Sequence, residues 1–311
     1  MLGLIIGGSG SGKSAIAETL IVSYGASRRY YIATMSASDA ESQRRIARHR
    51  RMRDGKGFET LECPTDLATA VPDATGDILL ECLSNLVANE MFLAGESREN
   101  TICKVMGGID ALCRSNDHVI IVTNNVFEDG ISYPRETEAY IACLGELNRR
   151  LAEASDLVIE AQAGIPTALK GELPSCLQNQ AYVKEKNGMI LIIGGAYQGK
   201  TQYAANKYHL KEEDIFTCEG LTLDKSARCI RHLERFAKAC TDKGLDAREE
   251  FERQAPAAVC LITDDISCGI VPLDDKERAW REASGRLLSF LAKRADTVTR
   301  VFCGLPLEVK P

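Results

Sequence analysis

One motif occurs twice, and it constrains the fold more than any other feature. Residues 4–14 read LIIGGSGSGKS and residues 191–201 read LIIGGAYQGKT. Each is a short apolar run, a glycine-rich turn, a lysine and a hydroxyl residue, the P-loop pattern. The pattern works only where a strand ends, the backbone curls and a helix begins, so that several N–H groups and the helix dipole converge on an anion. A chain built on it is α/β.

In the first copy, Gly7, Gly8, Ser9, Gly10, Ser11 and Gly12 form the expected phosphate cradle. Lys13 is expected to contact the outer phosphates as a point charge, and Ser14 to offer its hydroxyl to Mg²⁺ accompanying the nucleotide. In the second copy the same positions are Gly194, Gly199, Lys200 and Thr201. There a working loop and a degenerate one that has lost its ligand are both open readings.

Further matches run at a constant offset of 140. Thr123 pairs with Thr263, Gly145 with Gly285, Leu147 with Leu287, Leu151 with Leu291, Asp156 with Asp296, Gly164 with Gly304 and Pro166 with Pro306. So many identities in one register indicate a duplication. The two P-loops lie 187 positions apart, so the second copy lacks about 47 residues between its loop and its later strands. The polar, aperiodic segment 171–188 reads as a linker. This gives a first domain over 1–170 and a shortened second domain over 189–311.

Apolar strands are expected at 2–6, 29–33, 77–81, 118–123 and 156–160, and helices at 13–23, 39–53, 84–93, 103–115 and 136–154. The second domain repeats strands at 189–193, 258–263 and 297–302. Alternation of this kind predicts a duplicated P-loop NTPase (RecA-like) fold, a mostly parallel sheet with helices on both faces.

Composition narrows the function. The 311 residues are 45% hydrophobic, enough for two cores, and the net charge of −6 argues against coating nucleic acid. No apolar run is long enough to span a bilayer, and no signal peptide is read at the start, so a cytoplasmic location is expected. The 12 cysteines include no Cys-x-x-Cys pair. Cys82, Cys113, Cys143, Cys260 and Cys303 sit in apolar runs and are expected to behave as small buried hydrophobes. With four histidines, none closely paired, no zinc site is expected.

P-loop enzymes usually hold a carboxylate for the metal at a neighbouring strand end. Glu81 meets that need in the first half, and Asp264 and Asp265 in the second. Solvated strand ends are the plain alternative. The segment 41–53, ESQRRIARHRRMR, places His49 among six arginines. A neutral imidazole can attack phosphorus while guanidinium groups stabilise the charge. An arginine-rich helix is more often simply a solvated face.

Several motifs follow one another in order: the GGxxSGKS opening, Tyr31-Ile32-Ala33-Thr34, Arg45-Ile46 with His49-Arg50 and Arg53, Leu80-Glu81-Cys82-Leu83, Val122-Thr123-Asn124, and Gly145 through Asn148 and Ala152 to Asp156. Together they resemble the bifunctional adenosylcobinamide kinase/adenosylcobinamide-phosphate guanylyltransferases across the first domain. The resemblance implies phosphorylation of the aminopropanol hydroxyl of adenosylcobinamide. Transfer of GMP from GTP onto that phosphate follows, through a histidine adduct that falls on His49. It places nucleotide contacts on Gly7 to Ser14, Thr34, Arg50, Arg53, Glu62 and Glu81, with ATP or GTP as phosphate donor. It also suggests a trimer-like homo-oligomer.

Two departures stand out. Where the family has an acidic residue after Val122-Thr123-Asn124, this chain has Asn125, and Phe127 stands in place of a glycine. The second half stays closer to the family at Thr263-Asp264-Asp265 but lacks the histidine helix; His209 and His232 read there as surface or packing residues. Both activities on the first half, a division in which the second half contributes phosphorylation, another small-molecule kinase, and a nucleotide-binding regulatory module are the readings this leaves.

Overall fold

The computed structural model describes residues 1–35, 43, 46, 47, 50, 51, 53–128, 133–178, 188–270, 272 and 274–310. The chain resolves into two compact units. One comprises Met1–Gly7, Lys13–Glu160 and Pro166–Gln178, and the other Gly8–Gly12, Ala161–Ile165 and Asn179–Pro311.

The first sheet has seven strands: β1 (Leu2–Gly7), β2 (Arg29–Ala33), β3 (Phe58–Glu62), β4 (Asp77–Glu81), β5 (His118–Asn124), β6 (Leu157–Gln162) and β7 (Ile165–Lys170), in the order β3-β2-β4-β5-β1-β6-β7. The pairings β3–β2, β2–β4, β4–β5 and β5–β1 are parallel. The central strands are continuous apolar runs because they are covered twice. Ile78, Leu79 and Leu80 of β4 and Ile120, Ile121 and Val122 of β5 are wholly buried.

Helices accompanying this sheet include α1 (Lys13–Ser23), α2 (Leu83–Phe92), α3 (Arg98–Ser115), α4 (Arg135–Ala154) and the short α5 (Ser175–Gln178). Helix α1 packs on β1, β4, β5 and α5, whereas α2, α3 and α4 pack on one another. Helix α4 shows why: Cys143, Leu144, Leu147 and Leu151 recur at helical spacing on one face and are fully buried. The Ser97 side chain caps α3 by accepting from the Asn100 N–H.

The second sheet contains β8 (Ile190–Gly194), β9 (Ile215–Thr217), β10 (Cys229–Arg231), β11 (Cys260–Asp264), β12 (Thr297–Phe302) and β13 (Leu305–Lys310). Its order, β9-β10-β11-β8-β12-β13, is that of the first sheet, with no strand equivalent to β3 among the described residues. The pairings β9–β10, β10–β11, β11–β8 and β8–β12 are parallel, and the terminal β12–β13 hairpin is antiparallel. Its helices are α6 (Lys200–Tyr208), α7 (Leu233–Asp242), α8 (Ala247–Gln254) and α9 (Asp275–Arg294). Alternate residues of β8 serve opposite faces: Leu191 and Ile193 join a core with Phe236 of α7 and Leu287 of α9, while Ile192 packs with Ala204 of α6. The sheet is covered on both sides, as the alternating pattern requires.

The structure extends and corrects the sequence reading. Strands β3, β7, β9, β10 and β13 were not foreseen. Cys82, Cys143 and Cys260 are buried, but Cys113 is only half-buried and Cys303 is exposed. Cys303 sits at φ 48 in the turn between β12 and β13, so the apolar run ahead of it does not carry it into the core. Residues 43, 46, 47, 50, 51 and 53 of the expected arginine-rich helix are helical; the rest of that segment lies outside the described residues. Among the described residues, no helix is long and apolar enough to cross a membrane.

Candidate active site

Strand β1 ends at Gly7 and α1 begins at Lys13, with the loop Gly8–Gly12 between them. Gly10 and Gly12 have φ of 70° and 87°, which a side chain would strain. Ser14, in the first turn of α1, donates its hydroxyl to Glu81 Oε1 at the end of β4. The P-loop hydroxyl and the strand-end carboxylate therefore face each other, a pair of oxygen donors suited to a hard divalent cation.

The strand ends beside them are locked. Thr34 follows β2 and is fully buried. Its N–H donates to Glu81 O at 3.1 Å, its hydroxyl donates to Cys82 O at 2.8 Å, and it accepts from Cys82 N at 2.7 Å. Asn89 Nδ2 donates to Thr34 O at 2.8 Å. In this arrangement Thr34 holds the Glu81–Cys82 backbone. At the end of β5, Asn124 lies level with Gly7 and donates to Ser84 Oγ at 2.7 Å, while Tyr140 Oη donates to Ser84 O at 3.2 Å. Burial pushes the Tyr140 phenol well above its usual range, so it stays protonated and donates. Asn125 Nδ2 is bound to Glu128 Oε1 at 3.0 Å.

Arg53 stacks 3.4 Å from the Tyr31 ring centroid and is 7% exposed. Its Nη2 donates to Thr60 Oγ1 at 3.4 Å, and its buried Nη1 has no hydrogen-bond partner among the described residues. A buried guanidinium with an unused donor is poised for an acceptor from outside the fold. Arg50 pairs with Glu62 at 3.1 Å, but both side chains are largely exposed, so the pair contributes little to stability. His49 lies outside the described residues.

The second loop is built alike but wired differently. Gly199 has φ 84 and Lys200 opens α6. Lys200 is 6% exposed; its Nζ is 2.5 Å from Asp264 Oδ1 and 2.5 Å from Gly195 O. The lysine thus occupies its own cradle. Asp264 ends β11, level with Gly194, and the Asp265 N–H donates to Gly194 O at 3.0 Å. Asp265 Oδ1 accepts from Ser267 N at 3.0 Å. At the end of β10, where β4 carries Glu81, stands Arg231, which donates to Thr217 Oγ1 at 2.8 Å.

Sequence reasoning missed Ser84, Asn89 and Tyr140, which carry no motif of their own and are recruited by the fold. It missed the cationic replacement at Arg231 because β10 is too short to register by pattern.

A family model described as "Cobinamide kinase / cobinamide phosphate guanyltransferase" matches residues 3–169 and 217–309. The chain belongs to this family. The second matched segment begins at the end of β9, so the second P-loop lies outside it. Among curated proteins, the chain is similar to the bifunctional adenosylcobalamin biosynthesis protein CobU of Salmonella typhimurium. They are 34% identical over 186 residues, covering 55% of this chain and 100% of that protein. It is also similar to the bifunctional adenosylcobalamin biosynthesis protein CobP of Pseudomonas aeruginosa, 32% identical over 175 residues, with 55% and 99% covered. These relatives are therefore about one copy long, and this family member carries a second. Among solved structures, the RadB recombinase aligns with a TM-score of 0.27 and 14% identity over 51% of this chain and 73% of that one, too slight a likeness to bear on the argument.

Proposed function

We propose that this enzyme phosphorylates adenosylcobinamide and then transfers GMP from GTP to the product, with both reactions centred on the first half. The observation that carries the proposal is the Ser14–Glu81 pair at the start of α1, in a member of the cobinamide kinase / cobinamide phosphate guanyltransferase family.

In the first reaction, the loop N–H groups and Lys13 hold the triphosphate of ATP or GTP. The substrate's aminopropanol oxygen attacks the γ-phosphorus and the nucleoside diphosphate departs. Ser14 and Glu81 are the residues that would hold Mg²⁺, which would neutralise phosphate charge. In the second reaction, a His49 ring nitrogen attacks the α-phosphorus of GTP. A P–N bond forms as the α–β P–O bond breaks and pyrophosphate leaves. The substrate phosphate oxygen then attacks the same phosphorus, the P–N bond breaks, and adenosylcobinamide-GDP is formed. Arg53, with its unused buried donor, and Arg50 are assigned to the nucleotide phosphates, together with Glu62. The same reading puts the enzyme in the cytoplasm as a homo-oligomer, with domains over 1–170 and 189–311 joined by 171–188.

The test is incubation with α-labelled GTP. Label is expected to remain on the denatured wild-type protein and to disappear in His49→Ala. No label in the wild type rejects the guanylyl-transfer half.

A second reading divides the labour, leaving GMP transfer to the first half and giving the second a part in phosphorylation. It is favoured by Asn125 in the first half against Asp264 and Asp265 in the second. It predicts that Lys200→Ala abolishes phosphorylation and spares the GMP adduct.

A further inference from the structure

Three potential metal ligands converge in the second half: a His232 ring nitrogen, a Glu234 oxygen and an Asp264 oxygen, all within 4.8 Å of one another. His232 precedes α7, Glu234 lies in its first turn, and Asp264 ends β11. His232 Nδ1 is 2.9 Å from Glu234 Oε1, and Glu234 Oε2 accepts from Asp264 N at 3.0 Å and Thr263 Oγ1 at 3.3 Å.

The equivalent positions of the first half carry different side chains. Cys82, Ser84 and Asn124 stand at the same places, immediately after the fourth strand, in the first turn of the next helix, and at the end of the fifth strand. They are wired alike: Cys82 Sγ is 3.1 Å from Ser84 Oγ, and Asn124 Nδ2 donates to Ser84 Oγ at 2.7 Å. The three positions carry an imidazole and two carboxylates in the second half, against a thiol, a hydroxyl and an amide in the first.

The cluster is largely withdrawn from solvent: Glu234 is 6% exposed. Lys200 lies 2.5 Å from Asp264, while the His232 ring at 2.9 Å and the half-exposed Arg235 guanidinium at 3.9 Å stand beside Glu234. Behind Glu234 lies a small cavity lined by Thr263, Ser284, Leu233, Leu287, Leu288 and Leu291, so the carboxylate is backed by a largely apolar wall.

We infer that His232, Glu234 and Asp264 bind one divalent transition-metal ion of the zinc class. An imidazole with two carboxylates is a three-ligand set that leaves a coordination position for water, and the imidazole favours zinc-like ions over Mg²⁺ or Ca²⁺. The ion shares Asp264 with Lys200, so the two compete for it. This site is independent of guanylyl transfer on the first half.

The test uses the full-length, nucleotide-free protein after chelator treatment, titrated with ZnCl₂ against a chromophoric chelator. One equivalent is expected to bind. His232→Gly, which also relieves the residue's φ of 65°, should weaken binding by about 100-fold. Lys200→Met, which removes the competitor, should tighten it. Co²⁺ should give visible d–d bands without a thiolate charge-transfer band. Zinc bound equally by wild type and His232→Gly would belong elsewhere, for example to the exposed thiols of Cys103 and Cys303, and would overturn the inference. Failure of the wild type to bind zinc at tens of micromolar would overturn it too.

Discussion

The two halves share a strand order and a loop, yet the charges around the loops are reversed. In the first half, the strand beside the central β5 ends in a carboxylate, Glu81, that meets the loop hydroxyl, and β5 itself ends in two asparagines. In the second half, the equivalent strand ends in Arg231, β11 ends in two aspartates, and the loop lysine is held by one of them. A phosphate entering the second loop must first separate a buried lysine from Asp264 and from a carbonyl of its own loop. A P-loop motif by itself is therefore evidence of fold.

The largest effect should separate the two lysines. Lys13→Ala is expected to lower phosphorylation by about 100-fold or more, as loss of a principal phosphate contact does, while Lys200→Ala leaves it within about twofold. Steady-state assays of both variants on adenosylcobinamide check this. Equal losses would break the comparison and favour the divided-labour reading.

How much of this could be read from the sequence follows from the same contrast. The glycine loops, the central strands and α1, α2 and α4 were legible to within a few residues, because buried parallel strands are continuous apolar runs and glycine turns have no substitute. Strand β3 was not, because FETLE is an edge strand with little buried surface. Strands β9 and β10 have three residues each, too few for a period. Glu81 was legible at a strand end. The Arg231 exchange became visible only once the sheet aligned it with Glu81. Likewise, His232 looked like a packing residue because its partners, Glu234 and Asp264, are brought together by the fold rather than by spacing.

Stability offers a second contrast. Lys200→Met should leave the Asp264 carboxylate without its close cation, at a cost of about 2 kcal/mol in urea unfolding. Zinc should offset part of that loss by replacing the missing charge. A variant as stable as wild type in the absence of metal would mean that the pair is solvent-screened and that the second cradle is open.

The smallest effect distinguishes two helix caps. Helix α3 is capped by a neutral serine, Ser97, whereas α8, at the equivalent place before β11, is capped by Asp246. Bonds from the Arg248 side chain and then from backbone N–H groups hold the Asp246 carboxyl down at about 2. Because the folded value lies below the unfolded one, the stabilisation is fully present above pH about 4. It is lost as the pH falls from there toward 2. Acid unfolding followed by hydrogen exchange should therefore loosen α8 before α3, and Asp246→Asn should flatten that part of the profile. An unchanged profile would show that the cap does not contribute.

The central claim is that the two loops differ at their strand ends, Glu81 meeting Ser14 in the first and Asp264 holding Lys200 in the second, which is why the first is the nucleotide site we propose. Equilibrium binding of a non-hydrolysable, Mg²⁺-complexed nucleoside triphosphate to the full-length protein tests it most directly. The account predicts one tight site per chain, abolished by Lys13→Ala and retained in Lys200→Ala. Two sites of equal affinity, or a single site lost with Lys200, would contradict it.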